Sequence, residues 1–285
     1  MLTYDQEQSL LSTMTACGLE PRHASKLFGK LQDGKVARYE LEQGKKGNTN
    51  GALCVYGNSG KPAGWFWSWA DSVKQSWTSF DVSAISDAER KAMRDKQAEV
   101  NRQRDEEQKR VWTEVAAKAQ KLWDAGGPAK TGEAVHPYLA AKGVKPFGIK
   151  ALRQSLMVPA RNAAGEITTL QFIKENGEKR FLTGGKIVGS YFSIGKPDRV
   201  LLICEGFATG ATLFQATGYA VAVAFNAGNL KPVAEALRAK LPDLTILICG
   251  DNDLATDGNP GLTKAREAAA AIGARFVVPD FGIAA

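Results

Sequence analysis

From residue 197 to residue 285 the chain alternates short, mostly apolar runs with longer segments whose apolar side chains recur at helical spacing. The apolar runs predict four strands, and the segments between them predict three helices. The predicted strands are Val200–Cys204, Ala220–Phe225, Leu244–Cys249 and Ala274–Val278, and the predicted helices run from Gly206 to Ala216, from Lys231 to Ala239 and from Gly261 to Ile272. Because wholly apolar strands need cover on both faces, this pattern is typical of a parallel sheet flanked by helices.

The preceding segment, residues 126–196, shows a shorter period. A short helix over His136–Lys142 is followed by alternating stretches separated by Gly- and Asn-containing turns, which predict an α+β subdomain. Its predicted strands are Leu156–Pro159, Ile167–Lys174, Lys179–Leu182 and Ser190–Ile194.

Residues 85–125 predict one long, charged connecting helix. Ser86 and Glu89 match a capping box, and no Gly or Pro follows before Trp123. Four apolar residues recur at helical spacing in the C-terminal half, so we expect that half to dock on the next domain. They are Val111, Val115, Ala119 and Leu122. The N-terminal half lacks apolar heptad positions, which favours a solvated spacer over the alternative, a coiled coil.

Residues 1–84 predict a small N-terminal domain in which two short helices precede a β-rich part. The predicted strands are Val36–Leu41, Ala52–Tyr56 and Gly64–Trp69. Trp65, Phe66, Trp67, Trp69 and Trp77 stand close together among lysines. Such a cluster serves either as a stacking platform for single-stranded nucleic acid or as the core of a small sheet. Both interpretations stay open, and Trp67 and Trp69 are the candidate nucleic-acid contacts.

Charge is unevenly distributed along the chain. The net charge is +7, with a sequence pI near 9.2. Counted by segment, residues 125–196 carry +7 and residues 197–285 carry −2. A basic segment beside an acidic domain is compatible with a nucleic-acid partner, although a solvated positive face is the alternative.

Composition excludes several classes of protein. Hydrophobic residues at 44% and charged residues at 24% exclude a disordered or collagen-like chain. Four cysteines without a CxxC pair, together with two histidines, do not supply a structural zinc site. Cys204 and Cys249 lie in apolar runs and predict buried thiols in a reducing compartment. No signal-peptide pattern and no membrane-length apolar run is found, so we expect a cytoplasmic protein with no membrane partner.

Carboxylates stand at the ends of two predicted strands. Glu205 follows the first strand, and Asp251 and Asp253 follow the third. If those strands are neighbours, the three carboxylates converge at one edge of the sheet, with no fixed cation among them. Hard oxygen ligands of this kind suit Mg²⁺ or Mn²⁺, and phosphates are the natural substrates of such an ion.

The same residues carry a family resemblance. Leu202-Ile203-Cys204-Glu205-Gly206, Gly228 with Asn229, Asp251-Asn252-Asp253 and Gly261 resemble a Toprim domain, which DnaG-type primases, topoisomerases and some nucleases share. Met157-Val158-Pro159, Leu170-Gln171-Phe172 and Lys179-Arg180-Phe181-Leu182 resemble the N-terminal half of a primase core. His136-Pro137-Tyr138-Leu139 and the Trp-rich region resemble primases of plasmids, prophages and conjugative elements. The resemblance spans about residues 30 to 280.

This resemblance implies an α/β fold with a Toprim-type sheet over 197–285. It also implies a DNA primase, a nucleotidyltransferase of the DNA-directed RNA polymerase type, acting on single-stranded DNA and ribonucleoside triphosphates. Asp251 and Asp253 would hold the metal, and Glu205 would share it or act as base toward the 3′-hydroxyl. Lys174, Lys179, Arg180 and Lys186 are the candidate nucleotide or DNA contacts. We expect Asn229 to cap the following helix.

Two departures from the family pattern leave alternatives open. The chain lacks the ligands of a zinc ribbon, so template recognition must differ, and the Trp-rich region is the candidate for it. The sequence also stops soon after Phe281, so we expect either a fragment or a minimal primase that depends on a separate helicase. A Toprim nuclease and a non-catalytic single-stranded-DNA-binding protein of a mobile element remain the alternative functions.

Overall fold

The computed structural model describes residues 2–57, 61–68, 73–80, 87–252 and 259–279. Its contacts divide the chain into two compact units, the N-terminal unit Met1–Val100 and the C-terminal unit Asn101–Ala285. Each unit has its own hydrophobic core. In the part of the chain that the structure describes, no helix is long and apolar enough to cross a membrane.

The N-terminal unit packs two helices against one face of an antiparallel sheet. Its helices are α1 (Tyr4–Ala16) and α2 (Ala24–Phe28), and its strands, in spatial order, are β1 (Val36–Tyr39), β2 (Gly51–Tyr56), β3 (Ala63–Ser68) and β4 (Lys74–Thr78). Leu10 and Met14 of α1 meet Leu53 and Phe66 of the sheet in the core. The sequence did not predict β4, because its polar residues Lys74, Gln75 and Ser76 show no apolar alternation and pair only through β3.

A long helix, α3 (Asp87–Ala125), follows. Ser86, the predicted capping residue, lies outside the described residues. Ala119 is fully buried beside Met157 and Leu170, and Leu122 packs on the same cluster. If a Cβ atom were added to Gly184, it would lie 3.2 Å from Cγ1 of Val111 and 3.4 Å from Cγ2 of Val115. The loop that contains Gly184 therefore packs closely against α3. The predicted docking of the C-terminal half of α3 is therefore confirmed.

The first sheet of the C-terminal unit is antiparallel. Its strands, in spatial order, are β5 (Gly127–Pro128), β6 (Lys150–Leu152), β7 (Ser155–Arg161), β8 (Ile167–Lys174) and β9 (Lys179–Phe181), and the helix α4 (Pro137–Lys142) lies in the β5–β6 connection. The predicted counterparts of β7, β8 and β9 are confirmed. The sequence missed β5 and β6, because two or three residues are too few to show a period.

The second sheet has the predicted α/β pattern. Its elements, in chain order, are β10 (Phe192–Ile194), β11 (Val200–Cys204), α5 (Phe207–Thr217), β12 (Ala220–Val223), α6 (Leu230–Lys240), β13 (Thr245–Cys249), α7 (Pro260–Ala271) and β14 (Arg275–Val277). Its spatial order is β10-β12-β11-β13-β14, and all pairs are parallel except β10 with β12. The strand predicted at Ser190–Ile194 therefore joins this sheet instead of the preceding one.

Alternation along the strands separates two cores. Leu202 and Cys204 of β11 point to one face, where α5 and the antiparallel sheet cover them. Leu201 and Ile203 point to the other face, which α6 and α7 cover. Both faces are thus buried, as the wholly apolar strands predicted. The packing on the α5 face also brings the basic antiparallel sheet against the sheet that carries the acidic residues.

Candidate active site

Strand register brings two of the predicted carboxylates to one edge. β11 and β13 are parallel neighbours in which Cys204 lies opposite Cys249. Glu205 and Asp251 therefore leave the sheet at the same edge, within one residue of each other in register. A Cβ on Gly250 would lie 2.6 Å from that of Ala265 on α7, so the chain between Cys249 and Asp251 must run close against that helix. The expectation that these strands are neighbours is confirmed.

A buried thiol, that of Cys204, lies near both carboxylates. Cys204 and Cys249 are both buried, as their apolar surroundings predicted. Burial raises the pKa of the Cys204 thiol well above its ordinary value, and Coulombic interactions with Cys249, Asp251 and Glu205 raise that pKa further. One buried sulfur thus lies within electrostatic reach of both carboxylates, which are themselves half-exposed.

The donor atoms at this edge fit a hard divalent cation. Glu205 and Asp251 offer carboxylate oxygens, the ligands that Mg²⁺ and Mn²⁺ prefer, while the neighbouring thiol is held in its protonated form. Asp253, the third predicted ligand, lies outside the described residues. Among residues within them, no cluster of three potential metal ligands is found. Of the three predicted metal ligands, the structure therefore describes two, Glu205 and Asp251, and both lie at the same edge of the sheet.

A cation from the other sheet lies beside this edge. The Nζ atom of Lys179, on β9, would be 3.8 Å from a Cβ placed on Gly206, the residue directly after Glu205. Gly206 is also the N-cap of α5, so the first turn of that helix begins here. Packing between the two sheets thus places Lys179 beside the residue that follows Glu205, at the edge where the carboxylates leave the sheet.

Aromatic contacts hold β9 in this position. Phe181, on the same strand, makes an edge-to-face contact with Phe225, with ring centroids 5.4 Å apart. Phe225 follows β12 and adopts a left-handed backbone conformation with φ of 73°. Lys179 Nζ also lies 5.9 Å from the centre of the Tyr138 ring. The strand that carries Lys179 is therefore anchored on residues next to the carboxyl ends of the parallel strands.

The other predicted basic contacts are engaged differently. Glu178 accepts a hydrogen bond of 2.8 Å from Lys174 Nζ and a second from Arg180 Nε. These two bonds lower the pKa of the Glu178 carboxyl. Lys186 Nζ lies 5.1 Å from the centre of the Trp112 ring on α3. Of the four predicted lysine and arginine contacts, Lys179 is the one that the structure brings to the carboxylate edge.

Asn229 does not act as the predicted helix cap. It precedes α6, but its side chain makes no capping hydrogen bond there. It is buried, and its Nδ2 donates to the carbonyl oxygens of Ala224, Ser190 and Ile187 at 2.8, 2.9 and 3.2 Å, while its Oδ1 accepts from Gly189 N at 2.8 Å. The prediction was wrong, because the 187–190 loop, distant in sequence, offers more partners than the first turn of α6.

The tryptophan cluster divides between two faces of the N-terminal sheet. Phe66 and Trp77 belong to the core. Trp65 and Trp67 alternate with Phe66, so they lie on the opposite face, where both are half-buried. Trp69 lies outside the described residues. The core interpretation holds for Trp77, and a role of Trp67 in nucleic-acid binding stays a prediction.

Comparisons with known proteins bear on the family. Residues 200–283 match the family model described as Toprim domain. The chain is 37% identical over 267 residues to a DNA primase TraC from Escherichia coli, a match covering 88% of this chain and 24% of that protein. A second DNA primase TraC from Escherichia coli is 36% identical over 263 residues, covering 88% of this chain and 18% of that protein. The chain thus spans about a quarter or less of these relatives.

A solved structure is also similar. The primase fragment of the bacteriophage T7 primase-helicase protein is 15% identical, with a TM-score of 0.40. That likeness covers 50% of this chain and 64% of the fragment.

Proposed function

We propose that this chain is a DNA primase that makes short RNA primers on single-stranded DNA by metal-dependent nucleotidyl transfer. The observation that supports it most is the register of β11 with β13, which gathers Glu205 and Asp251 in a chain 37% identical to a DNA primase TraC. The substrates would be ribonucleoside triphosphates and a single-stranded template in the cytoplasm. A separate replicative helicase would expose that template. The resemblance to primases of plasmids, prophages and conjugative elements supports a mobile element as the source of such an enzyme.

The reaction joins the 3′-hydroxyl of one nucleotide to the α-phosphate of the next. The bond from the α-phosphorus to the bridging oxygen breaks, and pyrophosphate leaves with its electron pair. The proton of the 3′-hydroxyl needs an acceptor, and Glu205 is the candidate because its half-exposed carboxylate lies at the carboxyl end of β11.

Divalent metal fits this site by donor type. Glu205, Asp251 and, by the family pattern, Asp253 would hold Mg²⁺ or Mn²⁺. Such ions supply charge stabilisation to the transferring phosphate when bound. The chain's own contribution is to hold Glu205 and Asp251 at the carboxyl ends of the largely buried strands β11 and β13. Side chains on strands of this kind keep their positions better than side chains on long loops.

Basic residues of the antiparallel sheet would receive the phosphates and the nucleic-acid strand. Lys179 lies beside Gly206, the residue directly after Glu205, so it is the candidate partner of a nucleotide phosphate. Lys174, Arg180 and Lys186 are exposed or half-exposed on the same segment and are candidates for longer-range contacts with the backbone. Nucleic acid would compete with Glu178 for Lys174 and Arg180.

The test is a synthesis assay with single-stranded DNA, ribonucleotides and Mg²⁺ or Mn²⁺. We expect the wild-type chain to yield labelled short RNA. Glu205→Gln and Asp251→Asn should each lower the rate at least a hundredfold, because each removes a charge needed in the transition state (roughly 3 kcal/mol or more).

Matched controls are available in the same domain. Glu235→Gln and Asp243→Asn remove exposed carboxylates elsewhere on the parallel sheet's helices and loops and should leave the rate within about twofold. Cutting of the DNA without RNA synthesis would favour the nuclease alternative. Tight DNA binding with neither reaction would favour the non-catalytic one. Full activity of either Glu205→Gln or Asp251→Asn would show that the site is wrongly assigned.

A further inference from the structure

A basic cleft in the N-terminal unit lies outside the candidate active site. It has a volume of about 410 Å³ and runs between α2 and the edge strand β1. Its charged lining consists of Lys26, Lys30, Lys35, Arg38 and one carboxylate, Glu40. Four cations against one anion make this a strongly positive concave surface in a unit whose charges are otherwise nearly balanced.

The cations of the cleft face solvent, whereas its carboxylate is already engaged. Lys26, Lys30 and Lys35 are exposed. Lys26 and Lys30 are four residues apart on α2 and the turn that continues it, so both lie on one side. Glu40 accepts a hydrogen bond of 3.0 Å from Gly47 N and lies 3.8 Å from Arg22 Nε. Its charge therefore offsets little of the positive charge of the lysines.

Cross-strand register joins this cleft to the two half-buried tryptophans. β1 pairs with β2, β2 with β3, and β3 with β4. On the face away from the core, one row across the strands reads Arg38, Ala52, Trp67 and Lys74, and the next reads Val36, Cys54, Trp65 and Ser76. Arg38 and Val36 line the cleft and also begin these rows.

The dimensions of the two rows suit an extended strand of nucleic acid. Three strand spacings separate Arg38 from Lys74, or about 14 Å, and Trp65 and Trp67 are about 7 Å apart along β3. Lys74 Nζ lies 5.7 Å from the centre of the Trp65 ring, so a cation stands at the far side of the aromatics. Val36, in the cleft, is 51% exposed and adds apolar surface between the cations.

We propose that this surface, the cleft and the two rows together, binds single-stranded DNA. The lysines of the cleft contact phosphates, and Trp65 and Trp67 stack on bases. Aromatic stacking needs unpaired bases, whereas a duplex hides their faces, so the surface selects a single strand. This proposal adds a template-binding surface to the proposed function. It rests on the proposed function only for the statement that the bound strand is a template.

The test measures binding of a fluorescent oligothymidylate to the full chain, with EDTA present and no nucleotides, over a series of salt concentrations. Lys26→Ala with Lys30→Ala should weaken binding several-fold at low salt. It should also flatten the slope of log K against log salt by about 1.4, since each phosphate contact on a single strand contributes about 0.7. Lys118→Ala with Lys121→Ala removes two exposed lysines from α3 and should change neither quantity.

A second pair of variants separates stacking from charge. Trp67→Ala should lower the affinity about tenfold while leaving the salt slope unchanged, because stacking releases no counterions. Trp67→Phe keeps an aromatic face and should recover part of that loss. Circular dichroism of each variant confirms that the unit remains folded.

Several results would overturn the proposal. Equal effects of the two lysine pairs would remove the cleft from the binding surface. A duplex of the same length that binds as tightly, and loses as much in the cleft variant, would make the cleft a general polyanion site. Absence of primer synthesis by the wild type, together with retained, cleft-dependent binding of the oligonucleotide, would reject the proposed function and leave this inference standing.

Discussion

Lys174 and Lys179 stand on either side of one turn and have different surroundings. Lys174 ends β8 and shares Glu178 with Arg180, whereas Lys179 begins β9 and lies beside Gly206. A lysine held by a neighbouring carboxylate has part of its charge offset, and a phosphate must compete for it. The position of Lys179 therefore gives it the larger expected role in phosphate binding.

We expect Lys179→Gln to reduce primer synthesis at least tenfold, because a charge-assisted hydrogen bond to phosphate contributes roughly 1.5–3 kcal/mol. Lys174→Gln should reduce it less, since that charge is shared with Glu178. Lys145→Gln, at an exposed position of the same basic segment, is the matched control and should have no effect. Steady-state rates at saturating template measure the difference. Equal losses in all three variants would mean that only overall charge matters.

Asn229 shows what one buried amide contributes. Its Nδ2 faces three carbonyl oxygens and its Oδ1 faces a backbone N–H, so it ties the 187–190 loop to the end of β12. We expect Asn229→Ala to lower the free energy of unfolding by about 2–4 kcal/mol, because several buried backbone groups lose their partner.

Asn229→Asp distinguishes this network from a helix cap. A carboxylate would cap α6 well, but it would place a second acceptor against three carbonyls, so the network predicts a loss at least as large as in Asn229→Ala. Urea unfolding measures both variants, and Asn176→Ala in an exposed turn serves as the control. Wild-type stability of Asn229→Asp would contradict the network.

At the scale of elements, local pattern predicted those strands and helices that have enough residues to show a period. β8 was predicted with its observed bounds, and β11 likewise. β4, β5 and β6 were not predicted, because they are short or polar and form through pairing with neighbours. The sequence also assigned β10 to the wrong sheet, because the residues of a single strand do not specify which neighbour it pairs with.

The docking of α3 can be tested at two positions on one helix. Ala119 is fully buried against Met157 and Leu170, whereas Ala117, two residues earlier, is exposed. We expect Ala119→Leu to lower the free energy of unfolding by about 1–3 kcal/mol through overpacking. Ala117→Leu should change it by no more than about 0.5 kcal/mol, because leucine and alanine both favour helices. Thermal unfolding measures both variants. Equal changes in the free energy of unfolding would show that Ala119 does not pack as described.

On the scale of the whole molecule, charge is arranged by unit and by sheet. The positive excess of residues 125–196 lies on the antiparallel sheet and its loops, and packing brings Lys179 of that sheet to the edge of the parallel sheet where Glu205 and Asp251 lie. The N-terminal unit has little net charge, yet three of its lysines and Arg38 line one cleft. Net charge by segment therefore pointed to the first basic surface and gave no sign of the second.

The two surfaces give the molecule separable tasks under our proposals. Binding at the N-terminal cleft needs no metal, whereas transfer at the carboxylate edge does. Salt should therefore weaken template binding by both the wild type and Glu205→Gln. Removal of metal should stop primer synthesis and leave template binding unchanged. These two dependencies, measured on the same full chain, assign each surface its own function.

The sequence by itself determined the α/β pattern of residues 197–285, the long helix and its docking stripe, and the carboxylates at strand ends. These features are local. A strand that is buried on both faces is wholly apolar, and a helix that is buried on one side has apolar residues at helical spacing. Only the tertiary structure decided that β11 lies beside β13, that Lys179 reaches Gly206, that Asn229 serves a distant loop, and that Trp65 and Trp67 share a face with Arg38. Each of these depends on contacts between residues far apart in the chain, and such contacts are chosen by the packing of whole elements rather than by neighbouring residues.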